Sequence, residues 1–316
     1  MRETSCRKSS DFTRLLAIAL LFGAAACSKC SKEGPAAGDG GGAGERSDQC
    51  QSSGVKLVTA KNVSVPGSPK FDAMKARGHV VVGVKADQPN LGYKDVSGKR
   101  CGFDVEMAQM ISAGLGFDPA TIEYKELPSA NRESALKGNE IDYYVGSYSI
   151  TDKRKKDVSF AGPYFVAGQD ILVRKDDTSI TGPETLKGKK VCSATGSTNI
   201  QRVRSEKLTE ETNIIEFKTY SECVSQVLDK KADAVTTDDA ILKGYAAQAP
   251  SKLRVVGKTF SVEKYGVGLP KDDQALRGFV NGVLQKSFDD GTWSTIYGGT
   301  LGKSGSPASP PPLERY

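Results

Sequence analysis

The sequence predicts an α/β chain folded into two lobes with a ligand cleft between them, and three observations carry that expectation. Strand-like and helix-like stretches alternate over residues 79–145 and again over 189–235, the pattern of parallel α/β units. Both rounds end alike, because Asp142-Tyr143-Tyr144-Val145 and Asp233-Ala234-Val235 each follow a helix end and precede a hydroxyl-rich loop. Two such loops in corresponding places imply a ligand held between them. Last come two amphipathic stretches, 272–289 and 292–297, with no strand left to cover, so they are expected to pack back on the first lobe.

At 316 residues and 38% hydrophobic content, the chain is long enough for one large or two ordinary domains. Residues 1–26 open with Arg2, Arg7, Lys8 and Arg14 against Glu3 and Asp11, followed by an uncharged stretch too short to span a bilayer. That is a secretory signal. Small residues lead into Cys27, which reads as a lipoprotein cleavage site whose diacylation would tether the protein outside the cytoplasmic membrane. Residues 27–69, rich in Gly, Ser and Pro, read as a flexible tether; no strand precedes their glycines and no helix follows, so they are not a dinucleotide fingerprint.

Loss of the signal takes the formal charge from +6 to +4. So mild a surplus, with no basic groove interleaved with aromatics, speaks against nucleic-acid binding and suits a small anionic ligand. Seven cysteines become five when Cys6 leaves with the signal and Cys27 takes lipid. In an oxidising space Cys192, at the end of an apolar run, and Cys223, in the first turn of a helix opened by Ser221, suit a disulfide within one lobe. Cys50 with Cys101 is the next pairing, which leaves Cys30 odd; Cys27-Ser28-Lys29-Cys30 copies a redox or zinc half-motif without the flanking strand and helix.

Taken in order, 71–77 reads as a short helix ended by Gly78 and 79–84 as a buried strand, with His79, the only histidine, at its mouth. One histidine builds neither a catalytic triad nor a multi-histidine zinc site. Lys85 follows that strand, where α/β sheets place ligand groups, and Asp87-Gln88-Pro89-Asn90 is turn chemistry. Phe103, Met107, Met110, Ile111 and Gly114 recur at the spacing of one buried helix face. A strand over 121–127, a helix over 131–137 and a strand over 141–145 follow.

The loop Gly146-Ser147-Tyr148-Ser149-Ile150-Thr151-Asp152-Lys153-Arg154 is the first site loop. With Thr151 or Asp152 as N-cap, its hydroxyls, free N–H groups and Arg154 converge on one helix start, which attracts anions. A guanidinium also matches a carboxylate with two parallel hydrogen bonds. The second round runs through a crossing at 169–174, a strand over 189–192, a helix opened by Thr195-Gly196-Ser197-Thr198, and strands over 213–217 and 232–235 around a helix at 222–230. After 253–257 the stretch 259–269 crosses back. Gly298-Gly299-Thr300-Leu301-Gly302-Lys303-Ser304 falls one residue short of a phosphate loop and follows a helix, and the Pro-rich residues 302–316 read as disordered.

Ser149-Ile150-Thr151-Asp152-Lys153-Arg154, Gly102-Phe103-Asp104-Val105-Glu106-Met107-Ala108 and Ala232-Asp233-Ala234-Val235-Thr236-Thr237-Asp238-Asp239 together resemble family 3 solute-binding proteins, the amino-acid-binding components of ATP-driven importers. The likeness covers roughly residues 70–300. Val82-Gly83-Val84-Lys85-Ala86-Asp87-Gln88-Pro89 and Val191-Cys192-Ser193-Ala194-Thr195-Gly196-Ser197-Thr198 look closer still to that family's glutamate-binding lipoproteins, which share the Cys192 and Cys223 pair.

The resemblance implies a type II periplasmic binding protein fold. Its first lobe is discontinuous (70–168 and 259–301), its second is inserted (169–258), and hinge strands lie near 166–170 and 258–262. It further implies that Arg154 clamps an α-carboxylate with Ser149, Ser197 and Thr198, that Asp238 takes the ammonium, and that Phe103, with Tyr148, walls the pocket. Lys85 would choose the side chain, since a lysine there suits a charged acceptor; glutamate or aspartate is the implied ligand, with glutamine or asparagine as the alternative. Ser147, where glycine is usual, and Ala194, where a lysine can touch ligand, depart from the pattern. No cofactor, metal or catalytic set is expected. The implied partner is an ABC permease, or a membrane kinase if the protein is a sensor, and the implied form is a monomer.

Overall fold

The structure, a computed structural model, describes residues 50–305 and 307–315. The expected signal, the lipid site Cys27, Cys30 and the tether up to residue 49 lie outside the described residues.

Helix α1 (Pro69–Arg77) begins where Ser68 Oγ accepts from the N–H of Phe71 and stops at Gly78, whose φ of 83° glycine adopts without a Cβ clash. Strand β1 (Val81–Val84) is buried throughout, and β2 (Tyr93–Lys94) pairs with β3 (Arg100–Cys101). Then come α2 (Phe103–Gly114), β4 (Glu123–Glu126), α3 (Arg132–Lys137), β5 (Tyr143–Val145), the single turn α4 (Asp152–Lys155) and β6 (Ser159–Ala167). The second lobe holds β7 (Gln169–Arg174), β8 (Val191–Ala194), α5 (Thr198–Ser205), β9 (Ile214–Phe217), α6 (Tyr220–Leu228), β10 (Ala234–Asp238), α7 (Asp239–Gln248) and β11 (Leu253–Val255). The chain returns through β12 (Glu263–Leu269) and ends in α8 (Gln274–Asp289) and α9 (Thr292–Gly299).

Two five-stranded sheets result, ordered β4-β1-β5-β12-β6 and β11-β7-β10-β8-β9. In each, the strands joined through helices run parallel: β1 beside β4 and β5, β8 beside β9 and β10. Strand β12 lies antiparallel between β5 and β6, so a segment from late in the chain completes the first sheet. The last two helices pack on that lobe, where Trp293 Nε1 donates to the Tyr164 carbonyl at 2.8 Å and Asn281 accepts from Gly162 N–H. The fold is thus the two-lobed α/β architecture that the repeated strand-helix pattern predicts.

The two crossings run side by side: Phe260 N–H donates to the Gln169 carbonyl at 2.9 Å, and Gln169 N–H to Ser261 Oγ at 3.0 Å. Gly168 sits between them because a Cβ there would come within 2.7 Å of Thr259 Cβ.

Several expectations are corrected. Residues 50–69, read as part of a flexible tether, lie along the first lobe: Cys50 is bonded to Cys101, Val65 is buried, and Val55, Leu57 and Val63 pack on the core. Composition hid this, since the alternating Val55, Leu57 and Val63 are diluted by small and polar neighbours. The residues 307–315, read as disordered, also dock: Pro311 is buried, Leu313 packs on the core, and Glu314 N–H donates to the Gly162 carbonyl on the edge strand β6. Helix α6 opens at Thr219, not Ser221, through a reciprocal cap with Glu222. Cys192 on β8 is bonded to Cys223 on α6 within the second lobe.

Candidate functional site

The site loop after β5 is shaped by a buried carboxylate. Ser147 adopts a left-handed φ of 45°, a backbone state that glycine takes without a Cβ clash. Asp104 Oδ2 accepts from Ser147 N–H at 2.9 Å and Tyr164 OH donates to Oδ1 at 2.8 Å, while Ser147 Oγ donates to Gln88 at 3.0 Å. Burial pushes the Asp104 carboxyl up to about 6 despite these donors. The expected helix start is present but short: α4 is a single turn, and Thr151 is its N-cap, with Oγ1 accepting from Arg154 N–H at 3.2 Å.

Arg154 is buried, and its guanidinium is spoken for on three sides. It pairs with Glu133 at 3.0 Å and donates to the carbonyls of Ser149 at 2.8 Å and Gly196 at 3.1 Å. Gly196 belongs to the second lobe, so this arginine reaches across the cleft. A Cβ on Gly196, at φ 77°, would lie 2.7 Å from Ala130 Cα, so only glycine permits so close an approach of the lobes.

Arg132, which sequence reasoning passed over as one polar residue of a helix, is the second guanidinium of the site. It is 2% exposed, donates to the carbonyl of Ser129 at 3.0 Å, and lies 4.3 Å from the Tyr148 ring centroid, with Arg154 at 5.0 Å from the same ring. Its other contacts, the carbonyls of Ser147 at 3.4 Å and Gly196 at 3.5 Å, are long. Lys85 is likewise buried, and its Nζ donates to Ser129 Oγ at 2.9 Å. Burial, reinforced by the Arg132 charge, lowers Lys85 to about 7. Among the described residues neither Lys85 nor Arg132 forms an ion pair with a carboxylate.

Asp238 faces them from the second lobe. It holds the N-cap position of α7 but its side chain caps nothing. Instead Asn199 Nδ2 donates to Oδ1 at 2.8 Å and Tyr265 OH to Oδ2 at 2.6 Å. Burial and the nearby Glu263 charge raise the Asp238 carboxyl far above the usual carboxylate range. Ser197 Oγ caps α5 by accepting from Ile200 N–H, and Thr198 Oγ1 donates to Glu263 at 3.0 Å while lying 3.4 Å from Ser149 Oγ. No motif marks Asn199 and Tyr220, which line the cavity, or Glu263, which accepts from Thr198 beside it.

Ser129, Arg132, Ser147, Ser149, Arg154, Ser197, Thr198, Asn199, Tyr220 and Asp238 enclose an inner cavity of about 10 Å³, room for about one water. Outside it the cleft opens to a space of about 620 Å³ bounded by Glu133, Lys153 and Arg202, and on Lys85's side to one of about 230 Å³. Phe103, expected as a pocket wall, is not part of this surface. It is fully buried among Tyr164, Phe165, Trp293 and Tyr297, with ring centroids 5.6–6.0 Å away, because the helix face that carries it points into the lobe.

Known proteins match this arrangement. The chain is 37% identical over 260 residues to a glutamate-binding protein, GluB, of Corynebacterium glutamicum, covering 79% of this chain and 87% of that one. It is 40% identical over 207 residues to a glutamine-binding protein of Geobacillus stearothermophilus, covering 65% and 78%. Among solved structures, an ancestral arginine-binding protein bound to arginine superposes with a TM-score of 0.65 at 37% identity, over 70% of this chain and 97% of that one. The family model of bacterial extracellular solute-binding proteins, family 3, matches residues 80–302. With that match over most of its length and the two-lobed cleft just described, the chain belongs to the bacterial extracellular solute-binding proteins, family 3, a family of binding proteins rather than enzymes.

Proposed function

We propose that this protein captures an acidic amino acid, glutamate or aspartate, outside the cytoplasmic membrane and delivers it to an ABC permease, held near the membrane by lipid on Cys27. The observation that carries the ligand is the charge left unpaired at the cleft: two buried cations, Lys85 and Arg132, and one buried carboxylate, Asp238. A buried charge without a counterion is costly, and a ligand that supplies the counterions recovers that cost on binding. An acidic amino acid brings a distal carboxylate to the two cations and an ammonium to Asp238. Glutamine brings no distal carboxylate and leaves both cations unmatched.

In this reading Asp238 holds the ammonium, and Arg154, released from the Gly196 carbonyl as the lobes part, holds the α-carboxylate with Ser149, Ser197 and Thr198. The distal carboxylate meets Lys85 and Arg132 beside Ser129. The two guanidiniums lie over the Tyr148 ring, and Ser147 shapes the loop. Because the closed inner cavity holds about one water, the ligand binds when the lobes part and is then enclosed. A thermal-shift screen of the twenty amino acids tests the reading. Glutamate or aspartate should raise the melting temperature most, and a larger shift with glutamine or arginine would overturn the acidic assignment.

A further inference from the structure

The loop that carries Lys85 makes a second contact, outside the lining of the inner cavity. Asp87, two residues on, sends its carboxylate out of the first lobe to the start of α6 in the second. Oδ2 accepts from the N–H of Tyr220 at 2.8 Å and of Ser221 at 3.3 Å, and from Tyr245 OH at 3.2 Å; Tyr245 OH also donates to the Asp87 carbonyl. Helix α6 does not need Asp87 as its cap. Its own box is complete, with Glu222 N–H donating to Thr219 Oγ1 at 3.4 Å and Thr219 N–H to Glu222 at 2.9 Å. What that box leaves over are the N–H groups of the next two residues, and these are the two that Asp87 takes. A carboxylate there also meets the positive end of the helix dipole. Beside it, Gly244 on α7 lies against Pro89, where a Cβ would come within 2.5 Å of the Pro89 carbonyl oxygen.

We infer that Asp87, seated on α6 and Tyr245, is a closing latch: a positioning residue that holds the lobes together over any bound ligand and sets how long the ligand stays. The contact exists only when the lobes meet, so its free energy is added to the closed form alone and is felt by every ligand that the closed form encloses. Since Lys85 and Asp87 share one loop, seating the ligand's side chain and seating the latch move together. Gly244 gives the latch its fit, because any side chain there would prop the lobes apart.

The inference rests on the cleft being an amino-acid site, and the experiment separates the two. Full-length mature protein, Asp87→Asn, Gly244→Ala, Tyr245→Phe and the Asp87→Asn/Tyr245→Phe double variant are titrated with glutamate and with glutamine. Dissociation is followed by stopped-flow fluorescence, and circular dichroism checks that each variant is folded. Asp87→Asn should release both amino acids about ten- to a hundredfold faster, with association little changed and the glutamate-to-glutamine ratio kept. Gly244→Ala should do likewise, and the double variant should lose less than the product of the two singles. Release at the wild-type rate from folded Asp87→Asn would overturn the latch. A loss confined to glutamate would also overturn it, showing that Asp87 acts only through the charge of Lys85. Failure of the wild type to bind any amino acid would instead remove the cleft reading on which the latch depends.

Discussion

Lys85 Nζ donates to Ser129 Oγ at 2.9 Å, and the carbonyl of that same serine accepts from Arg132 at 3.0 Å, so one residue gathers two buried cations from separate elements. A neutral hydroxyl and a carbonyl satisfy donors but not charge. The electrostatic need that remains is for an anion, and it gives the ligand assignment its first test. Lys85→Ala should weaken glutamate by about 2–5 kcal/mol, a 30- to several-thousand-fold loss, because the distal carboxylate is left buried beside one cation where it had two. Glutamine should lose far less, while Arg154→Ala should weaken both alike. Calorimetric titration of the variants with both ligands decides it; equal losses in Lys85→Ala would place specificity elsewhere.

Acidity should separate the two ligands as well. Lys85, held at about 7, sheds its proton as pH rises past neutrality, whereas a bound carboxylate favours the charged lysine. Glutamate binding therefore takes up a proton above pH 7, and its affinity should fall there by up to about tenfold per unit. On the acid side the raised Asp238 becomes protonated and can no longer pair with an ammonium, so binding releases a proton and both ligands should weaken. Titrations between pH 5 and 9 should show a bell for glutamate and a one-sided fall toward acid for glutamine. A flat glutamate profile above neutrality would contradict the role given to Lys85.

The bond between Cys192 and Cys223 closes a loop with a sequence separation of 31 residues and ties α6 to β8. Replacing both cysteines by alanine should cost roughly 2–4 kcal/mol, mainly by freeing the unfolded chain. Calorimetric melting of the ligand-free protein measures the loss, and non-reducing peptide maps verify the bond. Free thiols at both positions would remove the claim.

The docked residues 307–315 cover the edge strand β6, where Glu314 N–H meets the Gly162 carbonyl and its carboxylate pairs with Lys264. That ion pair is half-exposed and adds little; the weight lies on Pro311 and Leu313. Deleting residues 306–316 should lower stability by about 1–3 kcal/mol and favour self-association through the bared strand edge. Unchanged melting and a monodisperse profile on light scattering would show that the segment is dispensable.

Sequence alone was enough for the alternation of strand and helix, the two corresponding loops and the return of the last helices. These follow from local periodicity and from the rule that an apolar face must be covered. The resemblance to the family's motifs also points to Ser149, Arg154 and Asp238, which the structure sets around one cavity, and the place after β1 points to Lys85, which lines the neighbouring space. The nine-residue strand β6 was harder to read, since Gly162-Pro163 interrupts the apolar run that would have marked it. Phe103 reads in two ways: its spacing puts it on the buried face of α2, as found, whereas the resemblance puts it on the pocket wall, and the rings of Trp293 and Tyr297, from nearly two hundred positions away, fill the space around it instead.

Other features belong to the tertiary structure from the start. Arg132 looks like any exposed helical arginine until the second lobe closes over it and removes its water, and Asp238 looks like a helix cap until Asn199 and Tyr265 draw its carboxylate away from the helix. Likewise Val55, Leu57, Pro311 and Leu313 sit in composition that speaks of disorder, and they are ordered by a core that other segments build. Local sequence determines which backbone each segment prefers and which face is apolar. Whether a charge is solvated, paired or left waiting for a ligand depends on what long-range packing brings against it, because desolvation is a property of the assembled surroundings and not of the residue.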